Sequence, residues 1–178
     1  MPNPAAVNRR ERNADALEAL AQSIREDGHD ARAFPGDARS EEAMIALFDR
    51  VEAEVGPIEV AVFNIGANVN FPIAETTLRV YTKVWEMACL GGFLMGREAA
   101  RRMAPRGRGT IIFTGATASL RGGSGYAAFS GAKAALRMLA QSMARELGPQ
   151  GVHVAHVVID GAIDTDFIKG RHPDFDNA

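Results

Sequence analysis

At 178 residues with 47% hydrophobic composition, the chain is long enough for one domain with a sizeable core and too short to argue for two. A formal net charge of -2 and a pI near 6.1 leave no electrostatic footprint for nucleic acid or an acidic membrane surface. No stretch approaches the roughly 18 consecutive apolar residues of a membrane helix, and the N-terminus lacks the apolar core of a signal peptide, so no membrane association and a cytoplasmic location are expected.

Residues 1–12 carry two prolines and an Arg-rich run without periodicity, and are expected to form an irregular lead-in. A single partial domain is expected over 13–168, followed by a polar tail over 169–178. From about Ala14, the residues Leu17, Leu20, Ala21 and Ile24 follow the spacing of an amphipathic helix, with Gly28 as its stop. Ala31 to Phe34 reads as a short strand ended by the turn residues Pro35-Gly36-Asp37. Ser40 caps a second helix with Glu41 and Glu42 in its first turn; Met44, Leu47, Phe48, Val51 and Val55 form its apolar stripe, and Gly56-Pro57 ends it.

Ile58 to Phe63 is apolar except for Glu59, the pattern of a strand buried on both faces of a parallel sheet. Asn64-Ile65-Gly66-Ala67 follows at its C-terminal end. Glu75 to about Met103 reads as one long helix whose glycines permit close approach by a neighbouring helix. Its Cys89, the chain's one cysteine, excludes an internal disulfide and a multi-thiolate metal site, and no metal is predicted. A strand over Thr110 to Thr114, a helix from about Tyr126 to Leu147 and a last strand over Val152 to Ile159 complete the pattern. Helices alternating with short buried strands predict an α/β fold with a parallel sheet. Asn64, Ala116 and Gly161 each fall just after a predicted strand, where such sheets place their ligand crevice.

Five motifs in one order, from about Arg12 to Thr165, resemble the short-chain dehydrogenase/reductase family. Asp37 resembles its adenine-contacting Asp, and Asn64-Ile65-Gly66 its Asn-Ala-Gly motif. Leu90-x-Gly92-x-x-Met95 matches a run on the family's long helix, Gly161 with Thr165 resembles its Pro-Gly-x-x-x-Thr loop, and Lys133 closes its Tyr-x-x-x-Lys spacing. The resemblance implies a Rossmann-like parallel sheet with flanking helices and an NAD(P)-dependent oxidoreductase acting on an alcohol or carbonyl. It also implies cofactor contacts at Asp37, Asn64, Gly66, Lys133, Gly161 and Thr165, with NAD or NADP as the cofactor. A homodimer through the long helices follows from it too, favoured by a Gly91, Gly92, Gly96 face.

The family's chemistry uses a phenol whose proton affinity is lowered by a nearby ammonium, a Ser hydroxyl on the substrate oxygen, and an Asn on the long helix. Counting by the motif puts Phe129 at the phenol position, Ala116 at the Ser position and Cys89 at the Asn position; only Lys133 is retained. Tyr126, about 4.5 Å nearer the helix N-terminus by helical rise, is either a replacement acid or a structural tyrosine. Thr117 and Ser119 are candidate hydroxyls in place of Ala116, and His156 reads as a satisfied core or edge histidine. Asp160 stands where the family has Pro, making that loop more flexible.

The first strand and the Thr-Gly-x-x-x-Gly-x-Gly turn, whose amides hold a pyrophosphate in the resembling fold, have no counterpart in the sequence. Gly122-Gly123-Ser124-Gly125, the one glycine cluster, comes instead after Thr110 to Thr114; Arg12 falls where the resembling family often has a basic residue on the 2′-phosphate of NADP, and is expected instead to pair with acids on its own helix. The expected result is a sheet with an open edge at Ile58 to Phe63, or with residues 31–34 moved across to pair there, and no measurable NAD(P)H binding by this chain. Three readings follow: a truncated or inactive piece of an oxidoreductase with a degenerate active site, a non-catalytic binding or dimerisation module, or an active enzyme built on Tyr126 and Lys133.

Overall fold

In a computed structural model, the backbone of residues 4–161 and the side chains of residues 14–161 are described. Thr165, the side chain of Arg12 and the expected tail over 169–178 lie outside these residues. The chain divides into two compact units, Met1–Pro57 and Ile58–Ala178.

The first unit holds two helices. Helix α1 spans Pro4–Glu26, so the expected irregular lead-in gives way to helix at Pro4. The reason is local: proline is tolerated in the first turn, where its missing N–H has no partner to lose, and Arg9 to Arg12 are good helix formers. Gly28 closes the helix at φ +88°: its N–H donates to the Arg25 carbonyl at 3.0 Å, and the His29 N–H to that of Ile24 at 3.2 Å, the pattern of a left-handed helix stop. Ala31 to Phe34 forms no strand. An isolated run of that length has no ladder to satisfy its backbone; here Arg25 donates to the Ala31 carbonyl at 2.7 Å, and the Arg50 guanidinium sits 4.8 Å from the Phe34 ring centre. Helix α2, Glu41–Glu54, starts as expected, with Ser40 Oγ accepting from the Ala43 N–H at 3.1 Å. Met44 and Phe48 are its buried residues.

The second unit is built on a three-stranded parallel sheet in the order β1 (Val60–Phe63), β2 (Gly109–Ala116), β3 (Val152–Ile159). Strand β1 pairs only with β2, and no described residue pairs with its other edge, so the open edge is the outcome found. Burial is one-sided, contrary to the expectation for Ile58 to Phe63. Ala61 and Phe63 are buried, but Val60 and Val62 are each 56% exposed. The same alternation carries across the sheet, because side chains in register on parallel strands share a face. Ile111, Phe113, Val152 and Val154 are buried, while Val157 and Ile159 are exposed.

The covered face packs against one long helical arm and one long helix. The arm is not one helix from Glu75. A single tight turn at Ile73–Glu75 precedes α3 (Leu78–Trp85), which Thr77 caps by accepting from the Val80 N–H. A π turn over Glu86–Leu90 then leads directly into α4 (Gly91–Met103). Within α4, Glu98 is 2% exposed; Arg97 at 3.2 Å, Arg101 at 2.8 Å and Arg102 at 2.8 Å surround its carboxylate. Burial, the largest single influence, would raise its proton affinity; the hydrogen bonds from Arg102 and Arg97 and the charges of Arg101 and Arg102 together outweigh it, holding it below the usual carboxylate range. Helix α5 covers Ala127–Leu147.

The glycines expected to receive a second copy are used inside the fold. Gly91, Gly92 and Gly96 are buried. A Cβ on Gly92 would run into Leu136 of α5 and come within 3.2 Å of Phe63 of β1, and one on Gly96 would lie 3.0 Å from Met143 and from Phe113. The close approach they permit is therefore that of α4 to its own sheet and to α5. Gly92→Val is expected to lower unfolding stability by about 1–3 kcal/mol through overpacking, measured by urea denaturation. Gly148→Ala, where an added Cβ meets nothing within 4 Å, serves as the matched control and should stay within about 0.5 kcal/mol of the parent.

Candidate functional site

Strand β2 ends at Ala116 and turns at once through Thr117–Ser119. The Ala116 N–H donates to Ser119 Oγ at 3.1 Å, and the N–H groups of Leu120 and Arg121 donate to the Thr117 carbonyl at 2.9 and 3.2 Å. The loop then meets the segment after β1: the Phe71 N–H donates to the Gly125 carbonyl at 2.8 Å. Gly125 has φ +80°, and a Cβ there would fall 2.5 Å from the Asn70 amide, so two reasons require glycine at this one position. Tyr126 stands just outside α5 at its N-cap, with φ −105° and ψ 18°.

This turn, the start of α5 and the end of β3 line an open pocket of about 290 Å³, with Ala116, Tyr126, Phe129, Ser130, Ile159 and Gly161 in its walls and Arg121 at its loop. Lys133 lies one turn further along α5 and is 4% exposed. Its ammonium donates to the carbonyls of Thr114 at 2.8 Å and Ile65 at 3.3 Å, and its Nζ is 6.0 Å from the centre of the Phe129 ring. Burial pushes its proton affinity below that of an ordinary lysine. With two of three N–H groups engaged, one remains for a ligand.

The remaining sequence-predicted residues divide into those near this centre and those apart from it. Asn64, Ile65 and Gly66 follow the end of β1, and Lys133 reaches Ile65; Asn64 and Gly66 are exposed. Cys89 sits in the π turn and packs on the apolar cluster of Val84, Ala88, Ala128, Phe129 and Ala132; burial raises its thiol above the ordinary range, which disfavours the reactive thiolate. Asp37 belongs to the first unit, where its carboxylate holds Arg39 at 2.7 Å. Thr117 lines the pocket, but its Oγ1 donates to the Asp160 carboxylate; Ser119 is 4% exposed, and its Oγ accepts from the Ala116 N–H. Asp160 is accordingly tied down where a looser loop was expected. Among the described residues, no cluster of three or more His, Cys, Asp or Glu is placed to hold a metal, and no helix is long and apolar enough to cross a membrane.

Ser130 and Arg121 were not singled out from sequence. A Ser next to Phe129 and an Arg beside the glycine cluster are ordinary residues at those positions, and only the folded loop brings both to one cavity.

The pattern of the family described as short chain dehydrogenase matches residues 3–175, a span that includes both units. The chain belongs to the short-chain dehydrogenase family. It is 30% identical over 162 residues to the cis-4-hydroxycyclohexanecarboxylate dehydrogenase of Sinomonas cyclohexanicum, covering 90% of this chain and 65% of that protein. It thus spans about two thirds of the length of that relative. A crystal structure of a short-chain dehydrogenase from Rhodopseudomonas palustris is 52% identical, with a TM-score of 0.79, over 92% of this chain and 76% of the other. An NAD+-bound xylitol dehydrogenase aligns with a TM-score of 0.82 at 28% identity, over 89% and 61% of the two chains. The fold is accordingly the Rossmann-like parallel sheet with flanking helices of short-chain dehydrogenases.

His156 lies against Gly115, where an added Cβ would fall 2.1 Å from its ring. Its Nε2 is buried and has no hydrogen-bond partner, so it is not the satisfied core histidine expected. Burial pushes its proton affinity below the ordinary value, and the charges of Arg137 and Lys133 push it further the same way. A histidine held neutral when folded binds a proton more readily once unfolded, so its contribution to stability is lost as pH falls below the unfolded value of about 6.5. His156→Asn is expected to lose less thermal stability than the parent between pH 7.5 and pH 5.5, approximately the window in which an unfolded histidine titrates; parallel thermal melts at the two pH values check this.

Proposed function

We propose that the chain represents an NAD(P)-dependent oxidoreductase of alcohol and carbonyl compounds by descent, and that its cavity binds a carbonyl compound without the family's tyrosine-to-substrate proton step. The observation that carries this reading is Phe129 in the cavity wall one turn before Lys133. A phenyl ring has no proton to exchange. Ala116 supplies no hydroxyl, and Cys89 is turned to packing in the cluster that also includes Phe129.

The residues at the strand ends fit the nicotinamide end of a cofactor. An added Cβ at Gly66 or Gly161 would meet nothing within 4 Å, leaving open space beside both backbones, and one Lys133 N–H stands ready for a ribose hydroxyl. Asn64, Gly66, Lys133 and Gly161 would hold that end, with Asp37 and Thr165 as the further contacts that the family likeness implies. When bound, NAD or NADP supplies the hydride chemistry. The match over 3–175 supports reading 13–168 as part of one Rossmann-like domain. A cytoplasmic location belongs to the same reading.

The second reading, an enzyme using Tyr126, is favoured by the place of that side chain in the same cavity wall as Phe129. Incubation with NADH or NADPH and a panel of ketones and aldehydes separates the two. The expected result is cofactor consumption no faster than without protein, and unchanged in Tyr126→Phe. A turnover that Tyr126→Phe lowers by the roughly 10²- to 10⁴-fold of a lost general acid would establish the second reading.

A homodimer through the helical arm is proposed on a different face from the one expected. Tyr81, Trp85 and Phe93 are each about two-fifths exposed, at 42%, 41% and 41%, and solvent-facing aromatics of this size mark association surfaces. Light scattering should give twice the chain mass, falling towards the monomer in the double variant Trp85→Glu, Phe93→Glu.

A further inference from the structure

His156 presents a buried hydrogen-bonding atom that nothing satisfies. It stands opposite Phe113 in the register of β2 and β3, and its imidazole fills the space that Gly115 leaves by having no side chain. Its Nε2 is buried without a partner. The groups that face it are few. From the turn after β2 comes Ser119, whose Oγ lies 3.0 Å from the point where a Gly115 Cβ would stand and already accepts the Ala116 N–H. From α5 come two cations, Arg137 and Lys133, whose charges both act on the ring. Strand β2 contributes Phe113 and Gly115, which carry no charge, and no acid is among the charges that act on the histidine. The next acid along the chain, Asp160, is bonded by the Thr117 hydroxyl.

A neutral imidazole tolerates this place, and an imidazolium does not. Protonation makes both ring nitrogens donors, so Nε2 would need an acceptor that the closed site lacks. It would also add a third positive charge beside Lys133 and Arg137. The segment that carries the ring is the part of the sheet best able to give way: among the described residues β3 pairs only with β2, and Val157 and Ile159 beyond the histidine are exposed. Strand ends of this kind open locally at lower cost than the core. We propose that His156 is an acid-sensitive lock: neutral, it holds the end of β3 against Gly115, and on taking a proton it leaves that place, so that the pocket loses the wall formed by Ile159 and Gly161. Arg137 and Lys133 set the pH of release, because each raises the cost of the third charge. Burial, then Arg137 and Lys133, keep the proton affinity of the closed site below the ordinary value, whereas a released histidine titrates at about 6.5. The lock is therefore full above about pH 6.5 and weakens as the pH falls below it.

Amide hydrogen exchange and NMR titration of the imidazole test this on the full chain. Corrected for the intrinsic effect of pH, exchange of the β3 amides after His156 should quicken about tenfold for each pH unit between about 6.5 and the closed-site midpoint, while that of Val152 and Val154 stays unchanged. His156→Asn should abolish the response, and His153→Gln, which alters an exposed histidine of the same strand, should leave it intact. Arg137→Gln should raise the His156 midpoint and carry the release to higher pH with it; Arg137→Lys, which keeps the charge, should stay near the parent. Thermal melts at pH 7.5 confirm that each variant is folded. A response that survives His156→Asn, exchange that quickens equally along all of β3, or a His156 midpoint that Arg137→Gln leaves in place overturns the proposal. Titration of the parent keeps the test decisive even where a variant does not fold: a His156 midpoint at or above about 6.5 overturns it as well.

Discussion

The second unit depends on a buried cation held by two carbonyls. Removing an ammonium from water is costly unless hydrogen bonds replace its hydration, and Lys133 finds those bonds at Thr114 in β2 and Ile65 just beyond β1. One side chain thereby joins the N-terminal half of α5 to the carboxyl ends of two strands. The positions of Phe129 and Ser130, on the preceding turn, follow from that clasp. Lys133 thus has a structural role that does not require a phenol beside it, which explains how the residue and its geometry persist with Phe129 as its neighbour.

A different constraint governs the centre of the sheet. Among the described residues the buried side chains of the three strands lie on one face, and packing there is dense. Phe63 and Phe113 meet with ring centres 6.4 Å apart, and α4 lies close enough above them that Gly92 and Gly96 leave no room for a side chain. Loss of side-chain packing at those glycines is offset by the close fit of backbone to aromatic rings. Glu98, on the same helix, shows the complementary solution for a charge: three arginines on neighbouring turns supply what water would.

Much of this was legible in the sequence because it rests on local chemistry. Ser40 capping, the stop at Gly28, the parallel sheet and the family likeness all follow from residue type and spacing. Ala31 to Phe34 misled because strand propensity is realised only with a neighbour, and nothing within a four-residue run states whether one exists. Val60 and Val62 misled for the same reason, since an apolar strand reads alike whether one face or both are covered. The spacing was enough to bring Ala116, Phe129 and Gly161 together, and they line one pocket beside Lys133; that Arg121 and Ser130 line it too depends on how the loop folds. Thr117 and Asp160 are similar: each looked available alone, and the turn pairs them.

The π turn at Glu86–Leu90 has a consequence for the whole helical arm. Its inward positions Val84, Ala88, Gly92, Met95, Ala99 and Met103 are all buried, and mark five turns spread over nineteen residues. An uninterrupted α-helix would use about 18. Each residue of excess advances a helix by about 100° around its axis, so without correction the seam would drift off the sheet along its length. The wide turn absorbs that one residue and returns the two halves to a common phase. Cys89 lies inside the correction, and its place in the chain is therefore a matter of helical register: shortening the turn by one residue would rotate α3 against α4 and carry Val84 away from the cluster that frames Phe129.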